Sequence, residues 1–153
     1  MEEYLEPIIT IIDNDNKDSR YSVYEFIDYF YHFNFQETNK NNIVVAVYDK
    51  NKNIIVGACI MYKYKKDNVI FHHISYICID PKYYRNKIGS SILSYIIDKF
   101  KTNITLNILI SDIHLLKFYQ SVCDKKKIRL EILETDKENK CMNILLHFST
   151  KMV

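Results

Sequence analysis

Ile77-Cys78-Ile79-Asp80-Pro81-Lys82-Tyr83-Tyr84-Arg85-Asn86-Lys87-Ile88-Gly89-Ser90-Ser91-Ile92-Leu93 is the stretch on which the fold of this chain turns. It opens in a β-branched run, breaks at Asp80-Pro81, and continues into apolar residues at helical spacing. Upstream, residues 69–79 predict a long strand that Pro81 closes. Downstream, Ile88, Ile92, Leu93, Ile96, Ile97 and Phe100 make one stripe of an amphipathic helix over 87–100. A helix N-terminus offers about four unpaired backbone N–H groups and roughly half a positive charge, which suits a pyrophosphate. Gly89 removes a side chain where such a ligand would approach, and Arg85 and Lys87 add positive charge beside it.

Outward from this junction the pattern alternates. Residues 8–12 read as a strand ended by Asp13-Asn14-Asp15-Asn16. Ser22 predicts the cap of a helix running to about residue 32, with Val23, Phe26, Ile27 and Phe30 at helical spacing. After a polar loop over 36–42, residues 43–48 and 54–64 predict a hairpin around Asp49-Lys50-Asn51-Lys52-Asn53, and Asp67-Asn68 the next turn. Beyond the central helix, residues 104–110 read as a buried strand. Asp112 is the natural N-cap of a helix to about 122, in which Ile113, Leu115, Leu116 and Phe118 are apolar. Residues 128–133 and 142–148 close the chain as a hairpin around Asp136-Lys137-Glu138-Asn139. The order β-α-β-β-β-α-β-α-β-β mixes hairpins with a strand–helix–strand crossover, so the expected class is α/β with a mixed sheet. Neither a repeat nor a linker divides it, which predicts one domain over 1–153.

Composition narrows the function. The 153 residues are 48% hydrophobic, enough for one core. A net charge of +2 is too balanced for nucleic acid, and Lys125-Lys126-Lys127 reads as a solvated turn. No apolar run approaches the roughly 18–20 residues that span a bilayer, and Met1-Glu2-Glu3-Tyr4 is acidic where a signal peptide is basic. Cys59, Cys78, Cys123 and Cys141 form no CxxC pair, which points to reduced thiols in a cytoplasmic protein and to no metal site. Asn, Lys, Ile and Tyr are abundant, as AT-rich codon usage produces, and only Gly57 and Gly89 remain as glycines. Glycine-based motifs are therefore expected in degraded form.

The quoted stretch resembles, without gaps, motif A of the GNAT N-acetyltransferases. That signature is Gln or Arg, two residues, Gly, one residue, then Gly or Ala, and it falls on Tyr84, Lys87 and Gly89. Tyr84 and Lys87 depart from it, although every position still has a backbone amide. Asp112 followed by Phe118-Tyr119 is similar to the family's motif B, with Asp where Asn is usual, and Ile54-Ile55-Val56-Gly57-Ala58 looks like the opening of its third strand. The resemblance implies a GNAT fold: a mixed, mostly antiparallel sheet of six to seven strands flanked by helices, with a central strand–helix pyrophosphate turn. It implies acetyl-CoA as co-substrate, no metal, and cofactor contacts from Ile77, Cys78, Ile79, Tyr84, Arg85, Asn86, Lys87, Ile88, Gly89, Ser90 and Asp112. In the family the strand carrying Ile77 to Ile79 splays from its neighbour at a bulge, which exposes its amides for the pantetheine arm and, near Ile77, for the oxyanion.

The same resemblance implies two catalytic roles. Tyr119 stands where a phenol protonates the departing thiolate of CoA, and its alternative is packing beside Phe118. His73 stands sixteen residues before Gly89, where relatives place a base, and histidine suits proton removal near neutral pH; its alternative is a hydrogen-bonded surface histidine. Alternation puts His72 on the opposite face. His114 and His147 read as surface or packing residues, and Cys78 as core. The run Tyr29-Phe30-Tyr31-His32-Phe33 belongs to the first-helix region, which flanks the acceptor pocket in this family.

The resemblance implies as acceptor a primary amine of a small molecule or a peptide. Glucosamine 6-phosphate N-acetyltransferases carry a His-Ile pair matching His73-Ile74, but the acidic pair that follows there is Ser75-Tyr76 here. Lys63, Lys65, Lys66 and Lys117 could hold a sugar phosphate or form a solvated face. The protein N-terminal acetyltransferases match in spacing, with Tyr where His73 stands. A CoA-binding domain without catalysis is the third reading. The amino sugar phosphate is preferred slightly, and the resemblance also implies a homodimer through the last strands.

Overall fold

The computed structural model describes residues 6–35, 39, 41–110 and 114–148. The strands are β1 Pro7–Ile12, β2 Ile43–Asp49, β3 Ile54–Lys66, β4 Val69–Ile79, β5 Asn103–Leu109, β6 Arg129–Asp136 and β7 Cys141–His147. The α-helices are α1 Lys17–Phe30, α2 Ile88–Phe100 and α3 His114–Lys126, with a 3-10 helix Pro81–Asn86 ahead of α2. The seven strands form a sheet in the order β1-β2-β3-β4-β5-β7-β6. β1–β2, β2–β3, β5–β7 and β6–β7 are antiparallel, and β4–β5 is parallel. The element order and the mixed α/β sheet are those expected from the sequence.

Side-chain chemistry sets the turns. Asp67 and Asn68, the two residues between β3 and β4, take φ of 52° and 65°, the backbone of a type I′ hairpin. Asp49 is buried and accepts from Asn51 N at 3.0 Å, holding the β2–β3 turn. Asp136 accepts from the backbone N–H groups of Glu138 and Asn139 and from the Asn139 amide, so its carboxyl lies below the usual range.

The start of α1 corrects the reading at Ser22. The cap lies six residues earlier, at Asn16, whose Oδ1 accepts from Ser19 N at 3.2 Å, and the helix begins at Lys17. Its buried stripe is Arg20, Val23, Tyr24 and Ile27, and the charged Arg20 hides the first turn from an apolar-periodicity reading. Arg20 donates to Asn14 Oδ1 and to the Asn39 and Asn42 carbonyls, tying the helix to the loop before β2. The end of α1 also falls short of residue 32, at Phe30.

The chain divides into two compact units, Met1–Tyr62 with Tyr76–Ile92 and Lys63–Ser75 with Leu93–Val153. In the first, Ile12, Val23, Tyr24, Ile27, Phe33, Val44, Ala46, Ala58, Ile60 and Cys78 make one apolar cluster. In the second, Ile104, Leu106 and Ile108 of β5, Val122 and Cys123 of α3, and Met142, Ile144 and Leu146 of β7 are buried. Cys59, Cys78, Cys123 and Cys141 are free thiols. Among the described residues, no helix is long and apolar enough to cross a membrane, and no cluster of His, Cys, Asp or Glu has metal-binding geometry.

Candidate active site

The strand–helix junction contains a short helix that the sequence reading left as turn. Asp80 is buried and caps it, its Oδ1 accepting from Lys82 N at 3.0 Å, and Pro81 takes the first helical position. The Asp80 N–H donates to the Val56 carbonyl at 2.9 Å, anchoring the turn to β3. The Asp-Pro pair is the signal that could have revealed this helix.

Lys87 ends the 3-10 helix with φ 58° and ψ 27°, in the left-handed region. It stands where the family signature has its first glycine, and a positive φ is the physical reason for glycine there. Ser91 N then donates to the Lys87 carbonyl at 3.0 Å, the first hydrogen bond of α2. The N–H groups of Lys87, Ile88, Gly89 and Ser90 precede that bond and have no intrahelical acceptor. Gly57 explains the other retained glycine. A Cβ there would lie 3.0 Å from Ile88 Cγ2, 3.2 Å from Ile92 Cδ1 and 3.3 Å from Ile79 Cδ1, so its absence lets β3 approach the start of α2. Ile88 itself is buried in that contact.

The β4–β5 ladder consists of Phe71↔Asn103, His72↔Ile104 and His73↔Thr105 and then stops. Among the described residues, β5 therefore supplies no ladder partner to the last six residues of β4. The Ile79 carbonyl accepts from the Tyr31 hydroxyl at 2.7 Å, and Tyr31 Oη lies 2.8 Å from Tyr84 Oη. Tyr31 was missed as a site residue because its partners lie 48 and 53 residues away in sequence. The Cys78 side chain belongs to the core, and burial pushes its thiol up to about 12, so only its backbone can serve a ligand. Arg85 and Asn86 lie in the 3-10 helix, and Asp112 lies outside the described residues.

The candidate catalytic residues fall in the second unit. His73 is half-buried, its Nδ1 lies 2.8 Å from Thr105 Oγ1, and Tyr64 Oη lies 3.2 Å from the same oxygen. Burial lowers its pKa below the ordinary histidine value. His72 is buried on the other face, bonded through Nδ1 to Thr102 Oγ1 and packed against Phe100 at 4.5 Å between ring centres. Its pKa is lowered by burial and then by the Lys63 charge. Tyr119 is buried on α3 with Val122 and Cys123, its ring edge-on to Phe118 at 5.0 Å. Of the other histidines, His114 is exposed and His147 pairs with Glu131 at 2.6 Å.

Three solved structures share this arrangement of strands and helices. The ribosomal-protein-S18-alanine N-acetyltransferase from Escherichia coli is 13% identical, with a TM-score of 0.71 over 96% of this chain and 97% of that one. The NatC complex bound to Gag peptide and CoA contains a chain that is 15% identical, with a TM-score of 0.70 over 95% and 100%. A GCN5-related glucosamine N-acetyltransferase region of a fungal multi-domain GH3 β-N-acetylglucosaminidase is 15% identical, with a TM-score of 0.60 over 84% of this chain and 18% of that one. At such identities the likeness establishes the fold alone. No curated protein matches the sequence. The family model for the acetyltransferase (GNAT) family matches residues 9–124, from β1 through the strand–helix turn to Tyr119 and beyond, and the chain belongs to that family of acyltransferases.

Proposed function

We propose that this chain binds acetyl-CoA at the start of α2 and moves the acetyl group directly to a primary amine. The observation that carries the reading is the turn itself. Lys87 in the left-handed region sets four successive amides at a helix start, and the terminal stretch of β4 has no ladder partner on β5. Those amides, with the Lys87 charge, suit the pyrophosphate, and the backbone of Ile77, Cys78 and Ile79 suits the amide-bearing pantetheine arm. When bound, acetyl-CoA supplies the acyl group as a thioester.

The chain's own residues then manage protons. With Nδ1–H donating to Thr105 Oγ1, His73 keeps its lone pair on Nε2 and takes the proton of the attacking amine, directly or through a water. Its lowered pKa keeps it in the neutral form at pH 7. The Tyr119 hydroxyl gives its proton to the departing thiolate, and burial on α3 holds its ring in one orientation.

For the acceptor, we propose a peptide N-terminus, with the amino sugar phosphate preferred from sequence as the alternative. What favours it is that a structure bound to a peptide and CoA is among those whose chain aligns over nearly its whole length, and that the acidic pair of the glucosamine 6-phosphate enzymes is Ser75-Tyr76 here. Lys63, Lys65, Lys66 and Lys117 are all exposed, as a solvated face requires. A panel of short peptides with free N-termini and glucosamine 6-phosphate, read by CoA release, tests this. Release with peptides alone is expected. Turnover with the sugar phosphate alone restores the amino-sugar reading, and failure to bind CoA ends the enzyme reading.

A further inference from the structure

Tyr31 is the C-cap of α1, and it reaches the cofactor turn through two hydrogen bonds. A phenol has one hydrogen. Tyr31 uses its own on the Ile79 carbonyl at 2.7 Å, so across the 2.8 Å contact Tyr84 is the donor and Tyr31 the acceptor. One side chain thus joins the end of α1, the last residue of β4 and the 3-10 helix. Tyr31 and Tyr84 are 46% and 59% exposed, so water could satisfy both hydroxyls and burial does not force the pairing. Burial of the Tyr31 ring, and next the bond from Tyr84, raise its pKa, so the bridging hydrogen stays in place across neutral pH.

The turn that this bridge reaches is a strained one. Lys87 holds a left-handed conformation that costs a non-glycine residue free energy, and such a conformation persists only where its surroundings over-determine it. Asp80 fixes the first end of the 3-10 helix through Lys82 N and the Val56 carbonyl. Tyr84 lies four residues further on, three before Lys87, at the position where the family signature has Gln or Arg. Its hydroxyl is the tie nearest to Lys87 that reaches another segment among the hydrogen bonds described.

We infer that Tyr31 is a positioning residue of the acetyl-CoA site: by holding Ile79 and Tyr84 together, its hydroxyl keeps the turn in the conformation that opens the first amides of α2. The bridge does with two side chains what a glycine at position 87 would do with backbone freedom. This rests on the acetyl-CoA reading of the turn. It makes the contribution of Tyr31 conditional on the residue at 87, a dependence that packing alone would not create.

The test is CoA binding by calorimetry and steady-state kinetics in the full chain, for Y31F, Y84F and the double variant, each with Lys87 and with K87G. Y31F removes an exposed hydroxyl and keeps the ring, and the unliganded melting temperature verifies its folding. With Lys87 present, Y31F is expected to raise Kd for CoA and KM for acetyl-CoA about fivefold, the scale of one hydrogen bond, with kcat unchanged. Y84F should do the same, and the double variant no more than either. In the K87G background the effect of Y31F should fall below about twofold. An unchanged Kd in Y31F, a loss confined to kcat, or an equal effect with Gly at 87 overturns the inference and leaves the acetyl-CoA reading standing. No CoA binding by the wild-type chain removes both.

Discussion

His73 Nδ1 lies 2.8 Å from Thr105 Oγ1, and the two residues are direct partners in the parallel β4–β5 ladder. The backbone register therefore sets the distance, and the hydroxyl sets the ring. With His73 neutral at pH 7 through burial, activity is expected to rise with pH through an ionisation below about 6.5 that belongs to His73. Thr105→Val removes the oxygen and keeps the shape. It should lower kcat by roughly tenfold or more and displace that ionisation, while His73→Ala should abolish it. A pH–rate profile that is the same in all three proteins would exclude His73 as the base.

His72 makes a stability prediction from the same strand. Its folded pKa is depressed, so between that value and the unfolded value near 6.5 the unfolded chain binds more protons. Stability is therefore lost as pH falls through about 6.5, and the loss is complete once pH lies below the folded pKa. Urea unfolding at pH 7.5 and pH 5.0 should show a lower midpoint in acid. His72→Leu loses the Thr102 bond and should be weaker at both pH values, but with a smaller difference between them.

Much of the sheet was legible because its signals are local. β4 was read at its observed bounds, since a β-branched run is flanked by Asp67-Asn68 and Asp80-Pro81. The start of α1 was not legible, because four consecutive Asp and Asn residues are all possible caps and the inward Arg20 breaks the apolar stripe. The site was legible as spacing but not as geometry. Lys87 looked like a missing glycine, whereas the structure shows lysine in the conformation for which glycine is preferred. Tyr31 was named only within the aromatic run that flanks the acceptor pocket, because nothing within its own helix region refers to Ile79 or Tyr84.

Left-handed positions in this chain are filled without glycine. Asn53, Asp67, Asn68, Lys87, Lys101, Lys127 and Lys140 have φ between 52° and 65°, and no glycine has positive φ. At Lys101, just after α2, and Lys127, just after α3, the conformation costs roughly 1–2 kcal/mol relative to glycine, and the extra chain entropy of glycine offsets about 0.5–1 of it. Lys101→Gly and Lys127→Gly should each stabilise by about 0.5–1 kcal/mol, a rise of roughly 1–4 °C in melting temperature. A fall in either variant would mean that the lysine side chain contributes more than its backbone strain removes.

Gly57 faces the opposite constraint, since adding a single carbon there meets Ile88, Ile92 and Ile79 at 3.0–3.3 Å. Gly57→Ala should destabilise by about 1–3 kcal/mol, the scale of overpacking. Because the nearest contact is at Ile88, the first residue of α2, CoA affinity should fall as well. Stability lost with CoA affinity retained would show that the helix start is not the ligand's seat.

Tyr119 separates chemistry from packing most directly. Its ring is buried and set edge-on to Phe118, so Tyr119→Phe keeps the packing surface and deletes the hydroxyl. A general acid contributes roughly 10²–10⁴-fold, far more than a single hydrogen bond of the hydroxyl contributes to stability. The variant should therefore lose at least about 100-fold in kcat, with Kd for CoA unchanged and a fall in stability of no more than about one hydrogen bond. An acetyl donor whose leaving group needs no protonation should recover much of the lost rate, because the missing proton would no longer limit it. Turnover within twofold of wild type would mean that water protonates the thiolate and that Tyr119 belongs to the core of α3.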